Sequence, residues 1–340
     1  MKTHGRALAG LTAGLFGIVS SLAVVAGQPL RGINGTIWAA NRGDNTLRAF
    51  DATTGNTLIT IDMAAGSQPG DLAYAKGKLY VAEEQGAAPA IAIVDLQSGT
   101  IDRIFTGVGT RPHHVHASPS GQLVAVGLYG TDMVAVVDTR DDSLLGPWDT
   151  NPNSTSGRVH AAVFSQDDNT LYLANEGANQ LCAMDPRTGS VLWTMDVPAI
   201  HELATTHNGK IAYVTRRGAN RLAVVNLETH TYTDVIALGL PDTLQLTANE
   251  KVLTVGLRTS PAQVAVVNTE TFTYDIVTLS VPGAPTTAGH QWTSPNGRYT
   301  LASFEGPGAG VAVIDHSAGN RIVQRLPYPG RPHGVDHSER

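Results

Sequence analysis

The sequence predicts an all-β chain: a seven-bladed β-propeller of four-stranded antiparallel blades, closed by the C-terminal strand joining the N-terminal blade. Three observations carry this expectation. A string of apolar residues ending in Asp or Asn recurs seven times. The runs inside each unit are short, alternating or β-branched, and bounded by turn residues. The last segment, Pro332-His333-Gly334-Val335-Asp336, matches Pro112-His113-His114-Val115-His116, which opens an internal unit.

The repeat sets the architecture. Its Asp or Asn falls at Asp51, Asp95, Asp138, Asp185, Asn226, Asn268 and Asp315, spaced 44, 43, 47, 41, 42 and 47 residues apart. Four short strands per 40–50 residues is the content of one propeller blade. Runs such as Leu79-Tyr80-Val81-Ala82 and Arg221-Leu222-Ala223-Val224-Val225, punctuated by Gly, Asn, Asp and Pro, are strand-and-turn patterns. No 12-residue window after the leader carries a helical period. The opening segment Gly35-Thr36-Ile37-Trp38-Ala39-Ala40 matches second strands elsewhere. The C-terminus is therefore expected to supply the innermost strand of the first blade.

Residues 1–26 differ from the rest. Lys2 and Arg6 precede an apolar stretch from Ala7 to Ala26, with small residues at Val24-Val25-Ala26, the pattern of a secretory signal peptide. The stretch is long for a leader, which keeps an uncleaved anchor open as the alternative. The domain expectation is a signal peptide over 1–26 and one propeller domain over 27–340. The expected location is periplasmic or secreted, with no membrane span once the leader is removed. Without Lys2 and Arg6, 21 basic residues face 29 acidic ones, a net −8. That balance argues against general nucleic-acid binding. The lone Cys182 excludes an intrachain disulfide framework and a cysteine-cluster metal site, and its alignment with Ala135 and Ala223 predicts a buried, unreactive thiol.

Leu171-Tyr172-Leu173-Ala174-Asn175, Ala212-Tyr213-Val214-Thr215 and Ser118-Pro119-Ser120-Gly121, with the Val-Asp turns, resemble the YVTN-repeat (YncE-like) seven-bladed propellers over essentially the whole chain beyond the leader. The resemblance implies the fold and leaves the activity open, because such propellers host enzymes, electron-transfer modules and binding proteins.

Aligned on the Ser or Thr before each first hairpin, the first position of the innermost strand holds His333, Gly70, His113, His160, His201, Asp242 and Gly289. The next position holds Gly334, Asp71, His114, Ala161, Glu202, Thr243 and His290. Six of the twelve histidines fall on these two positions. Innermost strands surround the channel, so His113, His114, His160, His201, His290 and His333 are expected to converge as metal ligands. Imidazoles without thiolates suit Cu, Zn, Fe or Mn. The loop after each second strand supplies Arg42, Glu84, Tyr129, Glu176, Arg217, Arg258 and Glu305 to the same face. Glu84, Glu176, Glu202, Glu305 and Tyr129 are the candidate proton-transfer groups, and Arg42, Arg217 and Arg258 the candidate clamps for an anionic substrate.

These residues describe an exported metal-dependent enzyme acting on a small polar or anionic molecule, with lyase, lactonase-like hydrolase and copper-type oxidase chemistry all open. A non-catalytic propeller holding a ligand or a protein partner is the alternative, and a non-covalent haem-type cofactor a third reading. His207, His230, His316 and His337 are expected in solvent. Trp38, Trp148, Trp193 and Trp292 are expected between blades, and Asn153-Ser154-Thr155 matches a glycosylation sequon.

Overall fold

The computed structural model describes residues 33–85, 89–151, 157–280 and 286–339. The expected leader and the sequon lie outside these residues. Seven antiparallel sheets follow one another around a ring. The Asp or Asn of each repeat has a local physical role. Asp51 Oδ1 accepts the backbone N–H of Thr53 and Thr54 at 3.0 and 2.8 Å, and Asp95 does the same for Gln97 and Ser98 at 2.9 and 2.8 Å. Asn226 and Asn268 repeat the arrangement in their own blades. Each side chain replaces a backbone acceptor and turns the third strand into the fourth.

The innermost strands are Pro332–Ser338, Pro69–Ala75, Pro112–Ala117, Val159–Phe164, Ile200–Thr205, Pro241–Leu246 and Thr287–Thr293, for blades 1 to 7. Each is followed outward by three more strands, and in blade 3 the outermost is split into Ser143–Leu144 and Trp148–Asp149. Besides strands, the described residues hold two single turns of 3₁₀ helix, Arg217–Ala219 and His316–Ala318. Among them no helix is long and apolar enough to cross a membrane.

A blade is apolar on both faces, so it is stable only between two neighbours. Seven buried apolar clusters fill the gaps between successive blades. The cluster of Ile37, Phe50, Leu301, Val313 and Val335 joins blade 7 to blade 1. The ring closes as the repeat predicts: Pro332–Ser338 pairs antiparallel with Thr36–Asn41, with Trp38 opposite Asp336 and Ala39 opposite Val335. Trp38 Nε1 donates to Ser338 Oγ at 3.0 Å, and Tyr328 Oη donates to the Thr46 carbonyl at 2.9 Å.

Trp38, Trp148 and Trp193 pack in or against the inter-blade clusters, as expected. Cys182 is buried, with its thiol 3.7 Å from the Thr150 carbonyl, and burial pushes it up to about 12. Two histidine expectations need correction. His337 belongs to the closing strand, where its Nε2 donates to the Asn34 carbonyl at 2.5 Å and its ring lies 4.8 Å from Trp292. His316 is half-buried, held between Thr300 Oγ1 and Asn320 Oδ1 at 2.9 Å each. His207 and His230 are exposed, as expected.

Three outcomes follow from this closure and burial. Ser338→Ala, which removes the partner of Trp38 Nε1, should cost about 1 kcal/mol in a urea titration. Truncation after Gly330, which uncovers the edge of Thr36–Asn41, should abolish the cooperative transition. Cys182 should resist a thiol reagent at pH 8 in the folded protein and react stoichiometrically once it is unfolded, read by absorbance.

Candidate functional site

Neighbouring residues of a regular strand point to opposite faces, so two adjacent positions would not ordinarily share one site. The backbone removes that obstacle. In all seven blades the pairing of innermost and second strands shifts register at the two histidine-bearing positions, between Pro69 and Asp71, Pro112 and Val115, Val159 and Ala161, and at the equivalents elsewhere. A bulge re-aims side chains and bends the strand. Here it turns both positions toward the axis.

The six expected histidines converge and are all buried. Ring centroids are 5.0 Å apart for His113 and His114, 4.3 Å for His114 and His160, and 4.1 Å for His114 and His290. His290 and His333 are 4.3 Å apart, and His160 and His201 are 3.6 Å apart. Burial lowers the pKa of His113, His114, His160 and His333, and neighbouring imidazoles add to the effect for His114 and His160. These rings are therefore neutral near pH 7, the form that ligates metal.

The donor set fits a metal ion. His114 Nε2, His160 Nδ1, His290 Nε2, His333 Nδ1 and Glu202 Oε2 are buried without a hydrogen-bond partner. Glu202 Oε2 stands 3.1 Å from His114 Nδ1 and 3.5 Å from His160 Nδ1, but the alignment makes neither a hydrogen bond. Three trios bring one donor atom of each residue within 4.8 Å: His113, His114 and His160; Asp71, His114 and His290; His114, His116 and Glu202. His114 belongs to all three. His201 and His333 share the ring without joining a trio among the described residues.

The second set of residues forms a charged belt around the imidazoles. Arg42 bonds to Glu84, and Glu84 Oε1 lies 2.7 Å from His113 Nδ1. Burial raises the Glu84 carboxyl, but His113 and Arg42 together outweigh it and hold the group at about 2. Glu176 is also held at about 2: burial raises it, and His201, Tyr129 and Arg217 override that cost. Tyr129 Oη donates to Glu176 Oε2 at 2.8 Å. Arg217 bridges Glu176 at 3.1 Å and Asp242 at 2.7 Å, and Asp242 lies 2.8 Å from His201 Nε2. Arg258 is 3.6 Å from Asp242, and Glu305 is 3.0 Å from Arg331, 3.6 Å from Arg42 and 3.8 Å from His333.

Every residue anticipated for the site therefore lies at the hub or its rim. Asp71, Asp242, Arg111, Arg331 and His116 were not anticipated. Asp71 and Asp242 occupy the same two aligned positions as the histidines. Arg111 and Arg331 share an Arg-Pro-His tripeptide with His113 and His333. Both signals were legible. A cavity of about 290 Å³ lies above the imidazoles, rimmed by Arg42, Arg111, Arg217, Arg258 and Arg331.

Gly70 stands where other blades carry histidine, and the reason is Glu84. A Cβ on Gly70 would fall 1.9 Å from Glu84 Oε1. The empty position admits the carboxylate that holds His113. Gly289 likewise leaves room for Ser303 Oγ and the His333 carbonyl, 2.4 and 2.8 Å from where its Cβ would be.

With this geometry in place, the comparisons with known proteins can be read. The sequence profile described as Lactonase, 7-bladed beta-propeller matches residues 106–280, just over half of the chain. The chain belongs to this family. The matched segment of the lactonase propeller holds blades 3 to 6, and with them His113, His114, His160 and His201. No curated protein sequence matches the chain. Solved structures share the fold at low identity. The periplasmic gluconolactonase of Pseudomonas aeruginosa is 19% identical, with a TM-score of 0.67 over 89% of this chain and 98% of its own. Hydrazine synthase of Kuenenia stuttgartiensis is 15% identical, with a TM-score of 0.69 over 88% and 99%. The dihydro-heme d1 dehydrogenase NirN is 15% identical, with a TM-score of 0.63 over 91% and 77%. The family shown is the lactonase one, and the expected YVTN-repeat resemblance is supported as far as the seven-bladed fold.

The glycine argument yields a direct check on this propeller. Gly70→Ala should cost about 1–3 kcal/mol in urea denaturation, the usual range for overpacking. Gly239→Ala, where a Cβ meets nothing within 4 Å, should stay within about 0.5 kcal/mol of wild type.

Proposed function

We propose that this propeller is an exported, metal-dependent hydrolase that opens the ring of a small anionic lactone at its His-lined mouth. One observation carries the reading. Buried, unpartnered imidazole nitrogens and a carboxylate oxygen converge beneath a cavity rimmed by five arginines. The lactonase family and the gluconolactonase neighbour support the reaction class. The apolar leader and that neighbour's periplasmic origin support export.

Lactone hydrolysis adds water to the acyl carbon and breaks the ring C–O bond, yielding a hydroxy carboxylate and one proton. His113, His114 and His160, with Glu202 or Asp71 beside them, would hold a divalent ion, which would supply Lewis acidity and lower the pKa of a water there. The chain's own residues orient and discriminate. Arg258, with 41% of its side chain exposed, and Arg111, stacked 4.9 Å above the Tyr129 ring, present guanidinium groups to an incoming carboxylate or phosphate. Glu84 and Glu176 keep their charge at neutral pH, so they fix His113, Tyr129 and Arg217 in place rather than trade protons. Glu305 carries the released proton outward, because its side chain joins the hub at His333 and reaches solvent at the rim.

Protein purified without a His-tag and reconstituted should contain about one metal equivalent by elemental analysis. It should also release acid from a panel of anionic lactones. His114→Ala and His160→Ala should lose the metal and lower turnover by more than about 100-fold. Arg258→Gln should raise KM about 10-fold while sparing kcat, as expected for loss of one charged hydrogen bond made equally in ground and transition states. A protein that holds no metal after reconstitution overturns the proposal and leaves the binding propeller as the better reading.

A further inference from the structure

Beneath the imidazole layer the channel widens into a second cavity of about 330 Å³. It shares only His114, Thr243 and His290 with the mouth cavity, so these residues form the partition between the two. The lower chamber is built two residues further along the innermost strands. Alternation brings Ala73, His116, Gln245, Trp292 and Asp336 to the axis there. Small side chains on some blades leave the space that the others line. Trp292 packs against the cluster between blades 7 and 1, as expected, and its half-buried side chain also walls this chamber.

The two chambers differ in the groups that line them. Five arginines rim the upper one. The lower one is lined by Asp71, Glu202 and Asp336 and by no Lys or Arg. Its carboxylates are held in place: Asp336 accepts the backbone N–H of Tyr74 at 2.6 Å and of His337 at 2.7 Å, and Asp71 accepts that of Val115 at 2.9 Å. Beyond the partition residues His114 and His290, two metal-donor atoms remain unused. His116 Nε2 and Glu202 Oε2 are buried and unpartnered, and with His114 they form one of the trios whose donor atoms lie within 4.8 Å.

We propose that the lower chamber is a cation port: a divalent metal ion reaches the hub from this side, held first by His116 and Glu202, while the anionic substrate uses the arginine-rimmed mouth. The inference rests on the metal-dependent reading above. Its physical basis is electrostatic steering, which alters association rates by about 10–10³-fold according to the sign of charge lining the approach. A cation entering at the mouth meets five guanidiniums, which the belt carboxylates offset only in part. One entering from below meets no guanidinium. It finds neutral imidazole and buried carboxyls that release their protons as it binds, since burial raises Glu202 well above the usual carboxylate range and Asp336 to about 7. His114, common to every trio, then passes the ion across the partition.

The experiment is metal uptake by the full-length protein stripped with a chelator and mixed with Co²⁺ at low ionic strength, followed by absorbance. Asp336→Asn, which keeps an oxygen acceptor for the two backbone N–H groups, and His116→Gln should each slow uptake about 10-fold or more. Final stoichiometry should be unchanged in both. Arg258→Gln at the mouth should leave the uptake rate as in wild type. Unchanged rates in both lower-chamber variants, or faster uptake in Arg258→Gln, would overturn the port while leaving the metal-dependent function standing. Failure of the wild-type protein to take up metal at all would overturn both.

Discussion

The pairing of Pro332–Ser338 with Thr36–Asn41 is the contact on which the rest of the molecule depends. Each blade buries its two apolar faces only when both neighbours are present, so one open seam would leave two faces in water. Closure also completes the hub. The same C-terminal strand carries His333 into the upper ring and Asp336 into the lower chamber, and Arg331 stands just before it on the rim. Stability and site assembly are therefore one event: the ring cannot close without placing these side chains.

A single backbone irregularity, repeated around the ring, converts a barrel of strands into a site. The register shift directs two consecutive positions to the axis, and burial keeps His113, His114, His160 and His333 neutral there. A belt of alternating carboxylates and guanidiniums surrounds them, bonding to one another and to His113 and His201. Such a belt is organised before any ligand arrives, so little reorganisation is needed during reaction. Glycine contributes by omission: Gly70 and Gly289 vacate hub positions that a carboxylate, a hydroxyl and a carbonyl then fill.

The lactonase family and the solved neighbours share this ring, but at 15–19% identity the likeness extends to the fold alone. In this chain the polar side chains gather at the axis. Two chambers with different linings meet at His114, Thr243 and His290. Function in such a fold is set by which side chains the repeat delivers to the centre, since the blades themselves are interchangeable supports.

Blade number, strand order, closure and the two histidine positions were all legible before any coordinates, because each is a pattern repeated at fixed spacing. The Asp or Asn turns are local hydrogen bonds, and local chemistry survives in sequence. The lower chamber was not legible. Ala73, His116, Gln245, Trp292 and Asp336 occupy equivalent positions yet share no residue type, so no column stood out. His337 and His316 lay in segments whose polarity resembles that of exposed loops, and only their contacts with Asn34, Trp292, Thr300 and Asn320 withdrew them from water. Composition and spacing determined that imidazoles would gather. The bulges, the closing strand and the contacts between distant blades decided which nitrogens face one another, because distances across the channel belong to the ring as a whole and to no single repeat.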